Sequence, residues 1–514
     1  MEYRRSLADL AAAQPASPSS PDAAHCLRSI ESAIFEELRT GAGDDLSSSL
    51  EQSCLLWPDH ARLFWLRALV LREMQAHEAA LIAAEHAASL AKDDPPTQAL
   101  LAQLRYETGR SAAAQFAVAR VLAPADMALV RGHAGALAAE GDVDAALALM
   151  TAMLEEQPDW VEGHTYCATL RCLTGANGRA DDGFADALRI EPRNLALHLG
   201  RFHWLAKAKQ WDDARTVLSE ATRACGESVA LKVARLYLEA ESGAAADRPD
   251  LFDKLAERPD AGLALARVRH ALRCGVPDRA VEIAMAQLGS PSASLFWPYL
   301  SIGWRLLGDD RAAWLDRPDQ LIRAADIGLH AQELSDLAEL LRALHTATAP
   351  YPDQSVRGGS QTDRPLLFRH EPIMQRTRAA IEAAVRDYID RLPPHEPGHP
   401  LLGTPRGVVR FAGSWSVRLS AEGFHAAHTH PVGWISSALH IALPDSSVMG
   451  DTPSGWLRFG TPPPELGLDL KPYRQIEPKV GRLVLFPSTL WHGTVPFADG
   501  ERLSIAFDIS PPRR

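Results

Sequence analysis

Residues 141–158 read GDVDAALALMTAMLEEQP, and residues 175–192 read GANGRADDGFADALRIEP. In each span a glycine (Gly141, Gly175) stands 17 positions before a proline (Pro158, Pro192), and the second span follows the first by 34 (175 − 141). Pro124 carries the proline series back by another 34, and Lys209 with Gly226 repeats the offset of 17 one unit later. Between these marks alanine and leucine recur at helical spacing, as in Asp142–Glu156 and Asn194–Lys207. Proline lacks an amide donor and clashes with the preceding helical turn, so proline at a fixed interval marks turns between helices. The unit is therefore a helix–turn–helix of 34 residues, strong for about four copies over 91–226 and less regular on either side.

This unit resembles the tetratricopeptide repeat. The resemblance implies a solenoid of stacked helix pairs whose concave face takes a peptide or protein substrate. A generic alanine-rich helical bundle is the competing reading. Composition fits either: of 514 residues 46% are hydrophobic and 23% charged, which excludes wholesale disorder and a fibre. Lys plus Arg number 53 against 65 Asp plus Glu, a net charge of −12. That balance offers nothing to nucleic acid or an anionic membrane and favours basic partners. Six cysteines are too sparse for a disulfide framework, and Cys167 with Cys172 reads as helix packing, not zinc. Arg4 and Arg5 precede no apolar h-region, and no run approaches the roughly 18 apolar residues of a membrane span. A cytoplasmic protein is expected.

Residues 14–24 (QPASPSSPDAA) are small, polar and proline-rich, which predicts a disordered leader over 1–28. The solenoid is expected over 29–310. Beyond it the pattern changes: a strand at 321–327, helices at 331–346 and 372–392, and a Gly/Ser-rich loop over 353–362. Past Pro400 the period becomes two, predicting short strands at 407–411, 414–419, 434–443, 455–459, 481–486 and 502–509. Six short strands bounded by Gly and Pro predict an antiparallel sandwich or jelly roll, with its core about 405–514 in a domain of 311–514.

The chemistry concentrates in that domain. His428 and His430 flank Thr429, and on a strand residues i and i+2 share a face, so both imidazoles can bind one transition metal. His492 follows 62 residues later (492 − 430), just after a strand. Ten residues beyond it begins Arg502-Leu503-Ser504-Ile505-Ala506-Phe507-Asp508-Ile509. Leu503, Ile505, Phe507 and Ile509 face one way, Arg502 and Ser504 the other. A buried arginine beside a serine calls for an anion, and a dicarboxylate co-substrate would satisfy both.

Four motifs then carry a resemblance to the 2-oxoglutarate–Fe(II) oxygenases fused to tetratricopeptide repeats. They are residues 354–362 (QSVRGGSQT), 411–418 (FAGSWSVR), His428–Pro431 with Gly433–Ser437, and Phe486–Ser488 running to Trp491–Phe497. The resemblance covers about 312–514. It implies a double-stranded β-helix (jelly-roll, cupin-like) domain using Fe(II), 2-oxoglutarate and O2. It implies that His428, His430 and His492 meet the metal and that Arg502 with Ser504 clamps the far carboxylate of 2-oxoglutarate. Two departures stand out. The usual facial triad has Asp or Glu at the position of His430, so three readings stay open. His430 ligates; or it fills the place without ligating, as in the aspartyl/asparaginyl β-hydroxylase group; or a carboxylate from elsewhere completes the site. Related sequences carry two tyrosines where this chain has Leu439-His440, and His440 could take over the tyrosine's hydrogen bond to co-substrate. Arg357, on a Gly-Gly loop, is a lid candidate; Gln361, Arg418 and Trp434 are candidates for substrate contact. His425 and His399 are left as ordinary packing or surface histidines. The function expected is hydroxylation of a peptide or protein side chain presented by the solenoid. The alternatives are a scaffold whose oxygenase domain has lost turnover, and an oxygenase of small molecules whose repeats dock a partner.

Overall fold

One residue in the left-handed region closes the first helix of each repeat: Gln75 (φ 61°), Gly109, Gly141 (φ 93°), Gly175, Lys209 (φ 57°), Gly243, Gly275 and Gly308. The intervals are 32 to 34 residues, so the turn recurs well outside the 91–226 window where the sequence signal is strong. At Gly141, Gly243 and Gly275 an added Cβ would meet nothing within 4 Å, so the backbone angle, not crowding, favours glycine there. The helices before these turns begin at Ala61, Pro95, Met127, Val161, Leu195, Val229 and Ala261 and are each 13 residues long, and Trp297–Leu307 follows them. Asp94, Asn194, Ser228 and Asp260 cap four of them by accepting the amide of the residue three positions on. The helical region is thus a succession of tetratricopeptide-like helix pairs, not a generic bundle. Its phase loosens after Gly243, where residues 244–253, interrupted by Pro249, form turns in place of a second helix.

The structure, a computed structural model, describes residues 28, 30–32, 34–36, 44–175, 180–253, 255, 260–347, 354–362 and 364–512. The expected leader therefore lies outside the described residues except for Arg28. Among them no helix is long and apolar enough to cross a membrane. The chain divides into two compact units, residues 1–149 with 364–378 and 513–514, and residues 150–363 with 379–512. In the first, Phe368 stacks on His77 at 3.8 Å and Arg378 donates to the carbonyl of Gln75 at 3.0 Å. The second holds the later helix pairs and the β domain. Its helical core buries Cys167, Cys172, Phe184, Phe202 and Leu231, and burial pushes both thiols up, as expected of packing cysteines.

Among the described residues the β domain has nine strands: β1 (Arg323–Asp326), β2 (Val356–Gln361), β3 (Phe411–His425), β4 (Ile435–Ala442), β5 (Leu457–Phe459), β6 (Arg474–Ile476), β7 (Arg482–Pro487), β8 (His492–Thr494) and β9 (Arg502–Ile509). They form a six-stranded sheet in the order β1-β7-β4-β9-β3-β2 and a three-stranded sheet β6-β5-β8, antiparallel throughout. This is the jelly-roll arrangement, with β9 central and paired on both edges.

Three expectations are corrected. The strands expected at 407–411 and 414–419 are one strand, β3, entered at Phe411, with a register shift at Gly413. The loop expected over 353–362 contains the edge strand β2 (Val356–Gln361), paired along β3. Its Gly-Gly is a packing requirement, not a hinge: a Cβ on Gly359 would sit 2.2 Å from the carbonyl oxygen of Arg418, and Gly358 adopts φ 69° at the bulge. The expected strand under His428 and His430 ends at His425. His428 keeps a single bridge to His492, and Pro431, which has no amide to donate, closes the ladder.

Candidate metal centre

β3 delivers the chain to His428 and His430, and the turn after β7 delivers it to His492. Backbone hydrogen bonds between His428 and His492, at 2.9 and 3.0 Å, fix the two segments side by side. His430 is held by its amide on the carbonyl of Ser488 at 3.1 Å. As a result one ring nitrogen from each of His428, His430 and His492 falls within 4.8 Å of the other two.

The orientation of each ring is fixed from behind. Nδ1 of His428 donates to the carbonyl of Ala426 (2.8 Å), and Nδ1 of His492 donates to the carbonyl of Leu490 (2.9 Å). Nδ1 of His430 donates to Oδ2 of Asp508 (2.6 Å), whose Oδ1 accepts from Ser436 Oγ (2.6 Å). The two backbone carbonyls can only accept, so His428 and His492 hold their proton on Nδ1 and turn an Nε2 lone pair inward, and the Asp508 carboxylate at Nδ1 of His430 turns that ring's Nε2 the same way. Burial, and after it the neighbouring imidazoles, holds His428 and His492 well below the usual histidine range, so neither is charged at neutral pH. Nε2 of His430 is buried with no hydrogen-bond partner. A cation at the meeting point would satisfy that orphaned nitrogen together with the other two, so the residues present fit a metal ion.

Arg502 lines the same cavity as the three histidines, a space of about 340 Å³. Its side chain is buried; Nη1 donates to the carbonyl of Gly455 (2.7 Å) and Nη2 to Nδ1 of His440 (3.3 Å), while Nε has no partner. None of these partners is anionic, and burial lowers the guanidinium to about 10, which still leaves it charged at neutral pH. A buried cation without a counter-ion, beside the cavity-lining Ser504, fits the carboxylate of a co-substrate. His440 does not line the cavity: it is fully buried behind Arg502 and, kept neutral by burial and by that arginine, accepts the guanidinium's hydrogen bond.

The other candidates divide. Gln361 lines this cavity, and Arg357 lines an adjoining one while donating to the carbonyls of Gln354 (2.7 Å) and Val356 (2.8 Å). Arg418 is not brought to either: it faces outward on β3 and pairs with Glu501 at 2.6 Å. Trp434 lines neither cavity: it is buried, its indole donating to the carbonyl of Leu401 at 3.1 Å. His399 is a packing histidine, bonded to the carbonyl of Leu315 and the amides of Leu401 and Leu402. His425 is not: it lines the cavity, its Nδ1 at 3.1 Å from Ser355 Oγ, and burial pushes it down to about 3. Sequence reasoning also missed Asp508 and Trp415, whose ring stacks on His430 at 5.6 Å. Asp508 was within reach, because the alternation that puts Arg502 and Ser504 on one face of β9 continues through Ala506 to Asp508.

A jelly roll that brings three convergent imidazoles and a buried arginine to one cavity can hold a metal ion beside an anion. Residues 413–508, which contain all three histidines, Arg502, Ser504 and Asp508, match the family described as "Putative 2OG-Fe(II) oxygenase". The match runs from β3 to β9 and does not extend into the repeats. Among solved structures, a prolyl-4-hydroxylase from Pseudomonas putida is similar at 19% identity and a TM-score of 0.27, over 38% of this chain and 94% of that one. A tetratricopeptide repeat protein from Parabacteroides merdae is similar at 14% identity and a TM-score of 0.31, over 54% of this chain and 98% of that one. No curated protein matches the chain.

Proposed function

We propose that this protein is an Fe(II)- and 2-oxoglutarate-dependent dioxygenase that hydroxylates a side chain of a peptide or protein, in the cytoplasm. The observation that carries the reading is the meeting of three Nε2 atoms in one cavity with a buried, counter-ion-free arginine. His428, His430 and His492 would hold the iron. Arg502 would grip the far carboxylate of 2-oxoglutarate, with Ser504 adding a hydrogen bond. Fe(II), 2-oxoglutarate and O2, when bound, supply the oxidising chemistry that turns a substrate C–H into C–OH while 2-oxoglutarate leaves as succinate and CO2.

The chain's own work is positioning. His440 holds the guanidinium plane toward the cavity; Asp508 fixes the ring of His430; Trp415 stacks on that ring and walls the cavity against water. The five described cysteines are all free, which supports a reducing compartment. Purified protein given Fe(II), ascorbate and 2-oxoglutarate should form succinate, and proteins captured from a lysate should gain 16 mass units on a side chain. Arg502→Lys keeps the charge but loses the two-pronged grip, so the 2-oxoglutarate concentration for half-maximal turnover should rise about tenfold or more. Absence of both succinate formation and iron binding would overturn the proposal.

A further inference from the structure

A second cavity, of about 470 Å³, adjoins the metal cavity and shares Gln354, Ser355, His428 and Thr429 with it. Its far wall is built by the repeats: Lys207 and Lys209, Trp211, Tyr237 and Glu241, and Arg269. Its near wall is the β domain's, with Arg357, Glu465 and Trp491. Both walls belong to the same compact unit. Arg273 donates to the carbonyl of Glu465 (2.9 Å) and the indole of Trp491 donates to the carbonyl of Pro298 (2.9 Å), so repeat helices and β-domain loops are hydrogen-bonded together around this cleft.

The charges are uneven. Lys207, Lys209, Arg269 and Arg357 line the cleft against only Glu241 and Glu465, an excess of two positive charges (4 − 2). Glu241 is already shared between Arg269 (3.0 Å) and Arg273 (2.8 Å), Glu465 is engaged by Lys209, and Arg357 has carbonyls as partners. This stands against a chain of net charge −12. The overall balance favours basic partners, but a cleft focuses the field of its own lining, and this lining carries more positive than negative groups.

We infer that the cleft receives an acidic segment of a protein substrate, its Asp or Glu side chains drawn to Arg357 and the repeat lysines while the residue to be modified reaches past Ser355 and His428. The inference rests on the oxygenase reading and names its substrate class. A polyanion such as nucleic acid fits less well, since the excess is small and the chain as a whole carries a net charge of −12. Trp211, Tyr237 and Trp491 offer apolar walls for a peptide's side chains.

The test uses the full-length protein and fluorescein-labelled dodecapeptides in which Ala alternates with Asp, Asn or Lys, read by anisotropy at low salt. The Asp peptide should bind about tenfold tighter than the Lys peptide, with the gap narrowing as salt screens the cleft. Lys207→Glu and Arg357→Gln should each weaken the Asp peptide about threefold or more; circular dichroism checks that they fold, and the wild-type preference stands without them. A preference below threefold, or a dodecamer of thymidylate binding tighter than the Asp peptide, overturns the inference. Co(II) titration of the same preparation separates the two failures. No peptide preference with cobalt bound removes the acidic-substrate assignment alone, whereas preference without cobalt binding removes the oxygenase reading.

Discussion

Histidine is used in opposite ways in the two parts of this molecule. In the repeats, His164 and His198 stand 34 apart (198 − 164) and put Nε2 on the carbonyls of Pro158 (2.8 Å) and Pro192 (3.0 Å). His270 does the same with Arg248, and His77 sets Nε2 against Glu107 at 3.3 Å. In all four, Nδ1 is the buried nitrogen without a partner, and each ring's orphan atom is alone. In the β domain the pattern is inverted. His428, His430 and His492 tie down Nδ1 and aim Nε2 at one another. A ligand is distinguished from a packing histidine by which nitrogen the fold consumes, and by whether the free ones converge. Burial alone does not separate the two groups.

The sharpest way to break that contrast is to remove one ring from each set. His492→Ala should abolish stoichiometric Co(II) binding, a loss beyond about a hundredfold, because two imidazoles cannot hold the ion as three do. His198→Ala should leave Co(II) binding unchanged and cost roughly 1 kcal/mol of unfolding free energy for its lost hydrogen bond. Isothermal titration and denaturant melts read the two effects. Equal metal affinity in both variants would erase the distinction. Next in size is Asp508→Asn, which keeps the shape beside His430 but withdraws the carboxylate that orients the ring. Metal affinity should fall about 10- to 100-fold. An unchanged affinity would mean that His430 needs no such support or does not ligate.

How much of this was legible in advance follows from what kind of signal each feature leaves. The repeats announce themselves because proline and glycine mark backbone geometry directly, residue by residue. They faded before Pro95, where Gln75 occupies the left-handed turn, since a non-glycine there leaves no mark in the sequence. The strand β9 and its Arg502–Ser504 face were readable because period two is local. The length of β3 was not: Ser420–Gly423 reads as a turn, but it is a bulge between the pairs Leu419–Gly359 and Phe424–Arg357, beyond which the strand runs on to His425. The three histidines were found by type and order. Their convergence depends on the bridge between His428 and His492, a contact between residues 64 apart (492 − 428) that no local pattern encodes. Arg418 misled because a cation on a strand next to the histidine motif looks the same from sequence whether it faces the cavity or Glu501.

The smallest effect concerns protons instead of metal. Burial pushes His345 down to about 4 and His399 down to about 4, and His425 to about 3, all in the β domain. Each folded value lies below the unfolded value of about 6.5. Between the two, the unfolded chain takes up protons that the native rings refuse. Stability is therefore full above about pH 6.5 and is lost as pH falls through about 4. His345 is the cleanest probe, since it bridges Ser360 Oγ (2.8 Å) and Ser416 Oγ (3.0 Å), joining β2 and β3 far from the ligands' own rings. His345→Gln offers both serines an amide that does not titrate. Discounted for its partial exposure, the ring's share is on the order of 1 kcal/mol. The metal-free variant should accordingly lose less thermal stability than wild type between pH 7 and 4.5. Parallel melting curves for the two proteins across that range would show that acid acts elsewhere, and that buried neutral histidine outside the metal centre is as indifferent to protons as a packing residue.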